Sequence, residues 1–276
     1  MTDTTNPRVS RQMHGLTWRM GTVTGVEKIN DRYLRITFGG PDLKGFASLD
    51  ANDHFKMLFP VDPEVTPVLP TKGEKGFVYP DDAPEQALRD FTPRSFDPER
   101  QELAVDFVLH EAGPATGWAA QAKPGQQVGM VGPRGSKIVS NDFDWFLMVG
   151  DETAFPSFAR RLEELPAGKK ALVIVEVDDH ANELPYETAA DAMVVWAHRD
   201  GAPAGTGTAL IDALKAATFP EGEYFAWGGG EAMILKDVRR HLLNERGANR
   251  EYLNFSGHWR RGEGDFDHHT PLDDVE

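Results

Sequence analysis

Trp145-Phe146-Leu147-Met148-Val149-Gly150 is a continuous apolar run that leads straight into Asp151-Glu152-Thr153-Ala154-Phe155-Pro156. With no polar alternation, the run predicts a strand buried on both faces. Phe158, Leu162 and Leu165 follow at helical spacing, so the strand feeds an amphipathic helix. Residues 171–177, 193–196 and 222–227 read as further buried strands, and residues 208–217 and 231–246 as helices between the later ones. Strands alternating with helices imply a parallel α/β sheet with right-handed crossovers. The turn at 150–156 then lies at the carboxyl end of a strand, where such sheets bind nucleotides. No Gly-x-Gly-x-x-Gly is present, and Asp151 or Thr153 equally suits a plain helix N-cap.

Upstream of Asn141 the pattern is different. Residues 19–26, 32–38, 54–60, 88–94, 102–110 and 127–131 read as six strands separated by turn signals, which suggests a small closed antiparallel barrel. Residues 63–84, rich in Pro, Gly and acidic side chains, read as a long surface loop. A short helix is expected near Thr116, within 113–123. The expected organisation is a flexible arm (1–15), a barrel domain (16–140), an α/β domain (141–262) and an acidic, disordered tail (263–276). His268-His269 in that tail is either a metal pair or part of a solvated segment.

Composition narrows the function. A net charge of −15 and a pI near 5.0 argue against nucleic acid as partner, because such binding needs a basic footprint. The chain has no cysteine, which excludes disulfides, a Cys-ligated iron–sulfur cluster and a redox-active thiol pair. Any electrons it handles must come through a bound organic cofactor or a separate carrier. No apolar run approaches a membrane span and the N-terminus has no signal-like apolar region, so the expectation is a soluble, cytoplasmic protein with no membrane partner.

Three dense patches lie between Arg89 and Ser136. The first is Arg89-Asp90-Phe91-Thr92-Pro93-Arg94. The second is Asp106-Phe107-Val108-Leu109-His110 with Gly113-Pro114-Ala115-Thr116-Gly117-Trp118-Ala119, and the third is Gly132-Pro133-Arg134-Gly135-Ser136. An arginine, an aromatic and a hydroxyl at i, i+2 and i+3 offer a phosphate clamp, a stacking face and a hydrogen-bonding group. The small residues after Gly113-Pro114 let backbone N–H groups approach an anion. Together the patches suit a ligand that is part diphosphate and part aromatic ring, such as a flavin dinucleotide. Taken alone, each also fits an ordinary strand or turn.

In order and spacing, these patches resemble the siderophore-interacting proteins, flavin-dependent ferric-siderophore reductases related to ferredoxin reductases. The family carries Arg-x-Tyr-Thr-x-Arg, Asp-Phe-(Val/Leu)-x-His, Gly-Pro-Ala-Ser-x-Trp-Ala and Gly-Pro-x-Gly-Ser segments, and the resemblance runs from about Thr17 to Gly262. Phe91 stands where the family usually has tyrosine, which keeps the stacking face and loses a phenolic hydrogen bond. Thr116 replaces serine and keeps the hydroxyl. The resemblance implies a six-stranded antiparallel FAD-binding β-barrel followed by a parallel-sheet α/β domain for NADPH or NADH, the ferredoxin-reductase-like arrangement.

It also implies site residues. FAD contacts are expected from Arg89, Asp90, Phe91, Thr92, Asp106, Phe107, Val108, His110, Gly113, Pro114, Ala115, Thr116, Trp118 and Ala119, with Thr92 hydrogen-bonding the reactive edge of the ring. Asp151, Thr153 and Ala154 belong to the family's Asp-Glu-Thr-Ala-(Leu/Phe)-Pro segment beside the nicotinamide. Ser256-Gly257-His258-Trp259-Arg260-Arg261-Gly262 resembles its Gly-Tyr-Trp-x-x-Gly motif, with His258 in place of tyrosine. That makes Trp259 a stacking or gating residue at the flavin, or else a packed interface tryptophan. Arg199, emerging with His198 from a buried strand, is expected to pair with a 2′-phosphate or to be an exposed loop cation. Gly228-Gly229-Gly230 permits close approach of a ligand or forms a tight turn. For an anionic ferric siderophore of catecholate type, the basic groups are Lys56 and Arg134, with Arg246 and Arg250 as weaker candidates. Ferredoxin is the alternative electron donor. A general flavin or ferric reductase and a non-catalytic chelate carrier are the alternative activities.

Overall fold

Phe55, Met57 and Phe59 stand at every second position, as do Ile36 and Phe38 and, further on, Leu103, Val105 and Phe107. A two-residue period puts each set on one face of a strand, and these side chains build the core of the first half of the chain. The structure, a computed structural model, describes residues 8–74, 76–110, 113–264 and 266–274. The chain divides into two compact units, Met1–Val139 and Ser140–Glu276.

In chain order the first unit contains β1 (Val9–Met13), β2 (Trp18–Asn30), β3 (Tyr33–Gly39), β4 (Phe55–Pro60), β5 (Thr71–Gly73), β6 (Gly76–Val78), β7 (Gln86–Phe91), β8 (Ser95–Asp97), β9 (Glu102–Val108), helix α1 (Pro114–Ala119), β10 (Gln127–Val131) and β11 (Gly135–Val139). Seven of the strands form one antiparallel sheet in the order β7-β4-β10-β2-β3-β9-β8, which curls into a half-barrel. The six strands expected from the sequence are all in it, and the short β8 is the seventh.

Two expectations for this unit are corrected. Val9–Met13, expected as a loose arm, is a strand paired along its length with β11. The loop expected over 63–84 contains the β5–β6 hairpin, whose Phe77 packs edge-on against Trp18 at 5.8 Å. Residues 1–7 of the expected arm and 265, 275 and 276 of the expected tail lie outside the described residues.

The second unit contains β12 (Trp145–Asp151), α2 (Phe155–Glu164), β13 (Lys170–Val177), β14 (Asp191–His198), α3 (Ala209–Ala216), β15 (Tyr224–Glu231), α4 (Ala232–Asn244) and β16 (Leu253–Trp259). All five strands are parallel, in the order β14-β13-β12-β15-β16. The order reverses at β12, so the crevice outside the carboxyl ends of β12 and β15 is the switch point where doubly wound sheets take ligands. Every residue of β12 is buried, as its apolar run requires. Residues 193–196, expected as a buried strand, lie instead on the edge strand β14, and Met193 is 63% exposed. Strand β16 escapes a hydrophobicity reading because Ser256, Gly257 and His258 interrupt it. The acidic tail is partly ordered: Leu272 is buried against the core and Asp273 pairs with Arg239 at 2.6 Å.

Candidate functional site

On the first unit, α1 packs against the strands β7 and β9. Strand alternation sorts the first patch. Arg89 and Phe91 pair across to Met57 and Phe55 on the core side, whereas Asp90 pairs with Lys56 on the opposite face. The half-buried Phe91 ring rests 4.6 Å from Phe107 and 5.6 Å from Phe59. Arg89 and Thr92 are half-buried beside it. The Thr116 hydroxyl donates to the Val108 carbonyl at 3.4 Å. At Gly113 φ is +136°, and an added Cβ would meet the His110 ring at 3.1 Å, so only glycine lets the imidazole lie there. Desolvation pushes the His110 imidazole below its ordinary pKa.

Arg89, Phe91, Thr92, Val108, His110, Gly113, Pro114, Ala115 and Thr116 thus share one partly exposed edge. Beneath it lie Asp106, Phe107, Trp118 and Ala119, all buried. The Asp106 carboxylate accepts from Arg35 Nε at 2.7 Å, from Arg35 Nη2 at 3.0 Å and from the Tyr33 hydroxyl at 3.3 Å. Burial, then Asp106, holds the Tyr33 phenol well above its ordinary pKa. Trp118 packs between Phe38 and Phe59, at 6.2 Å and 5.3 Å. These four residues support the edge from below, and Asp90 faces away from it. The edge itself has the donor set of a flavin-dinucleotide site: a partly exposed guanidinium, an aromatic ring, two hydroxyls and a glycine-led turn without side-chain bulk.

On the second unit, the strand ends bring together carboxylates far apart in sequence. Asp151 closes β12. Its Oδ1 accepts from the Thr153 N–H (2.9 Å) and hydroxyl (2.6 Å), and its Oδ2 from the Glu231 N–H (3.0 Å) and Trp259 Nε1 (2.8 Å). Burial pushes its pKa up and these four donors oppose that. Trp259 is therefore tied to the Asp-Glu-Thr-Ala turn. Its ring covers Gly205, where φ is +74° and an added Cβ would lie 3.0 Å from it. Thr153 Oγ1 also lies 3.0 Å from His258 Nδ1, and Ala154 is buried against Gly150.

Arg199 is neither an exposed loop cation nor free for a phosphate. Its side chain is 2% exposed, grips Glu152 with two hydrogen bonds of 2.9 Å and 3.0 Å, and reaches Glu176 at 3.5 Å. Binding a 2′-phosphate directly would require breaking this pairing, because the guanidinium is buried against both carboxylates. Burial, reinforced by Asp151 and Glu152, raises the Glu176 pKa to about 7. Sequence reasoning missed Glu176, although a lone carboxylate inside the apolar run 171–177 is a signal the sequence carries.

Glu231 caps α4, its Oε2 accepting from the N–H groups of Met233 (2.7 Å) and Ile234 (3.0 Å). Gly205, Glu231, Met233, Arg260, Arg261 and Gly262 line a cleft of about 460 Å³ there. Gly228 and Gly229 are strand residues rather than a turn, and neighbouring protein groups fill the space their side chains would take.

Among the basic candidates on the first unit, Lys56 is half-buried and pairs with Asp90 at 2.7 Å, while Arg134 is exposed. On the second unit Arg246 is consumed structurally. It donates to the carbonyls of Leu214, Lys215 and Ala217 and stacks 4.5 Å over Phe219, closing the end of α3. Arg250 is exposed in a single 3₁₀ turn. No helix among the described residues is long and apolar enough to cross a membrane.

Both units match known proteins. Residues 22–137 match the model of the siderophore-interacting FAD-binding domain, and residues 143–262 that of the siderophore-interacting protein. The chain is 37% identical over 242 residues to the NADPH-dependent ferric-chelate reductase of Escherichia coli (strain K12), covering 86% of this chain and 91% of that one. It is 30% identical over 246 residues to the ferric vibriobactin reductase ViuB of Vibrio cholerae, covering 87% and 89%. The solved structure of a siderophore utilization protein from T. fusca superposes with a TM-score of 0.87 at 39% identity, covering 95% of this chain and 99% of that one. A ferredoxin reductase of carbazole 1,9a-dioxygenase, at 14% identity, a TM-score of 0.59 and coverage of 88% and 70%, shares the fold alone.

Proposed function

Because the chain belongs to the siderophore-interacting protein family, we propose that it is an FAD-dependent reductase of ferric siderophores, drawing electrons from NADPH or NADH and releasing iron as Fe(II). The observation that carries this reading is the Arg89–Thr116 edge, a diphosphate-and-ring site on the unit that matches an FAD-binding domain. Bound FAD supplies what no side chain of this cysteine-free chain can, the conversion of a two-electron hydride donor into single-electron transfers.

In this reading Arg89 and the Gly113–Thr116 turn would hold the diphosphate, Phe91 would offer the stacking face and Thr92 the hydrogen-bonding group for the reactive edge of the ring. Asp151, Thr153 and Ala154 form the nicotinamide side, with Trp259 held there by Asp151 as the stacking residue. Arg199 acts through Glu152, fixing the turn rather than touching the nucleotide. Lys56 and Arg134 attract an anionic chelate of catecholate type. Each hydride reduces two Fe(III) to two Fe(II), and Fe(II) matches hard anionic oxygen ligands less well, so the chelate loosens its iron. The reaction belongs in the cytoplasm, where reduced nicotinamides are available. A ferredoxin donor is disfavoured by the net charge of −15, which repels an acidic carrier.

The test is anaerobic. Purified protein, reconstituted with FAD if needed, is mixed with NADPH or NADH and then with a ferric tris-catecholate in the presence of an Fe(II) trap. Bleaching of the flavin bands by one nucleotide, recovery on adding the chelate and two trapped Fe(II) per nucleotide are expected. Bleaching only by reduced ferredoxin would move the donor to a protein. Failure to hold FAD would overturn the reading.

A further inference from the structure

Beyond the carboxyl end of β13 the chain passes through Asp178 and Asp179 into a single 3₁₀ turn, His180–Asn182, and on to Glu183. Asp179 fixes that turn, its Oδ1 accepting from the Ala181 N–H at 2.9 Å and from the Asn182 side-chain amide at 2.7 Å. His198 is the last residue of β14, in register with Val177 of β13. The turn and the strand end therefore face one another at one corner of the sheet. Glu183 Oε1 lies 2.8 Å from His180 Nδ1 and 2.9 Å from His198 Nε2, and the two rings stand 6.2 Å apart at 77°. One ligand atom from each of the three lies within 4.8 Å of the others.

Two imidazole nitrogens and one carboxylate oxygen converging on one point are a donor set for borderline divalent cations, which imidazole suits and hard oxygen-only sites do not. We propose that His180, Glu183 and His198 form a binding site for one divalent transition-metal cation of the zinc class, with solvent water completing its coordination. Exposure agrees: the His180 side chain is 88% exposed while Glu183 and His198 are 26% and 28% exposed, so the inner ligands are fixed and the outer one leaves an open path. The sign of the charge also agrees, since Asp179 acts electrostatically on both His180 and His198 and favours a dication over an anion. The cation replaces the protons now shared between each imidazole and Glu183, and it ties the turn after β13 to β14, the edge strand of the sheet. The site shares no residue with the Arg89–Thr116 edge or with the Asp151 cluster, and it does not depend on the proposed reductase activity.

The experiment uses the full-length holoprotein, dialysed against Zn²⁺ with a competing chelator, with retained zinc measured by atomic absorption and thermal unfolding recorded in parallel. One zinc per chain and a raised unfolding midpoint are expected. Glu183→Gln, nearly isosteric, and His198→Ala should each weaken zinc retention about tenfold or more with the flavin spectrum unchanged. A His268→Ala/His269→Ala double variant should retain zinc as the parent does. Zinc retention that survives both Glu183→Gln and His198→Ala, that is lost with the tail pair, or that is absent from the parent overturns the proposal.

Discussion

Glu176 is a carboxylate that the fold holds at a disadvantage when ionised. Burial and the neighbouring Asp151 and Glu152 raise its pKa from 4.5 to about 7, and Arg199 offsets this only in part. A carboxyl whose folded pKa is raised adds stability that is fully present below its unfolded pKa and is lost as pH climbs through the folded one. Between about pH 4.5 and pH 7 the second unit should therefore lose stability, by of order 3 kcal/mol from this group if the full shift is expressed. Glu176→Gln removes the ionisation while Arg199 keeps its two bonds to Glu152. Urea unfolding followed by tryptophan fluorescence should show the variant gaining on the parent as pH rises from 5 to 8; equal pH slopes would show that Glu176 is already ionised at pH 5. The sequence marks Arg199 and Asp151 as chemistry-bearing, but the partners that decide their roles lie outside any local window. Glu152 is 47 residues from Arg199 and Glu176 is 23. Parallel sheets bring such groups together only after folding, so Arg199 reads as a phosphate ligand in the sequence and as an internal counter-ion in the structure.

At the level of elements, strand period and buried runs were readable in advance, because β12 is apolar up to its last residue, Asp151, and large apolar side chains fall at every second position of β4 and β9. What polar strands do was not. Strand β1 is stabilised by pairing with β11 rather than by apolar content, and β16 hides behind Ser256, Gly257 and His258. The glycines of β15 show why composition misleads. A Cβ at Gly228 would fall inside contact distance of the Val149 carbonyl, a backbone atom in the neighbouring strand that cannot turn aside. The atoms nearest a Cβ at Gly229 belong to the ring of the exposed His258, which can rotate away. Gly228→Ala should therefore destabilise the second unit by about 3 kcal/mol and Gly229→Ala by about 1 kcal/mol. Chemical denaturation of the two variants side by side measures the difference. Similar losses would mean that glycine flexibility in the strand, rather than strand-to-strand approach, sets the requirement.

For the molecule as a whole, a net charge of −15 opposes the approach of the anionic chelate it is proposed to reduce. Two ranges of the same force compete. Electrostatics reach about 30 Å at 0.01 M salt, far enough for an incoming chelate to feel the whole acidic chain, but only about 8 Å at 0.15 M. Within that shorter range the proposed substrate-binding groups are the exposed Arg134 and the half-buried Lys56, the latter already paired with Asp90 at 2.7 Å. Long-range repulsion should dominate at low salt and fade first as salt is added. The kcat/KM for a ferric tris-catecholate is thus expected to rise between about 0.01 M and 0.15 M salt, opposite to the fall seen when a basic surface steers an anion. Replacing Lys56 and Arg134 together with alanine should lower kcat/KM at every salt concentration, leave FAD content intact and steepen the rise, because only repulsion remains. An uncharged ferric chelate should show little dependence in either protein. A parent whose kcat/KM with the anionic chelate falls on adding salt would require a stronger basic surface at the substrate site than Lys56 and Arg134 provide. Unchanged turnover in the double variant at subsaturating chelate would remove these two residues from that site.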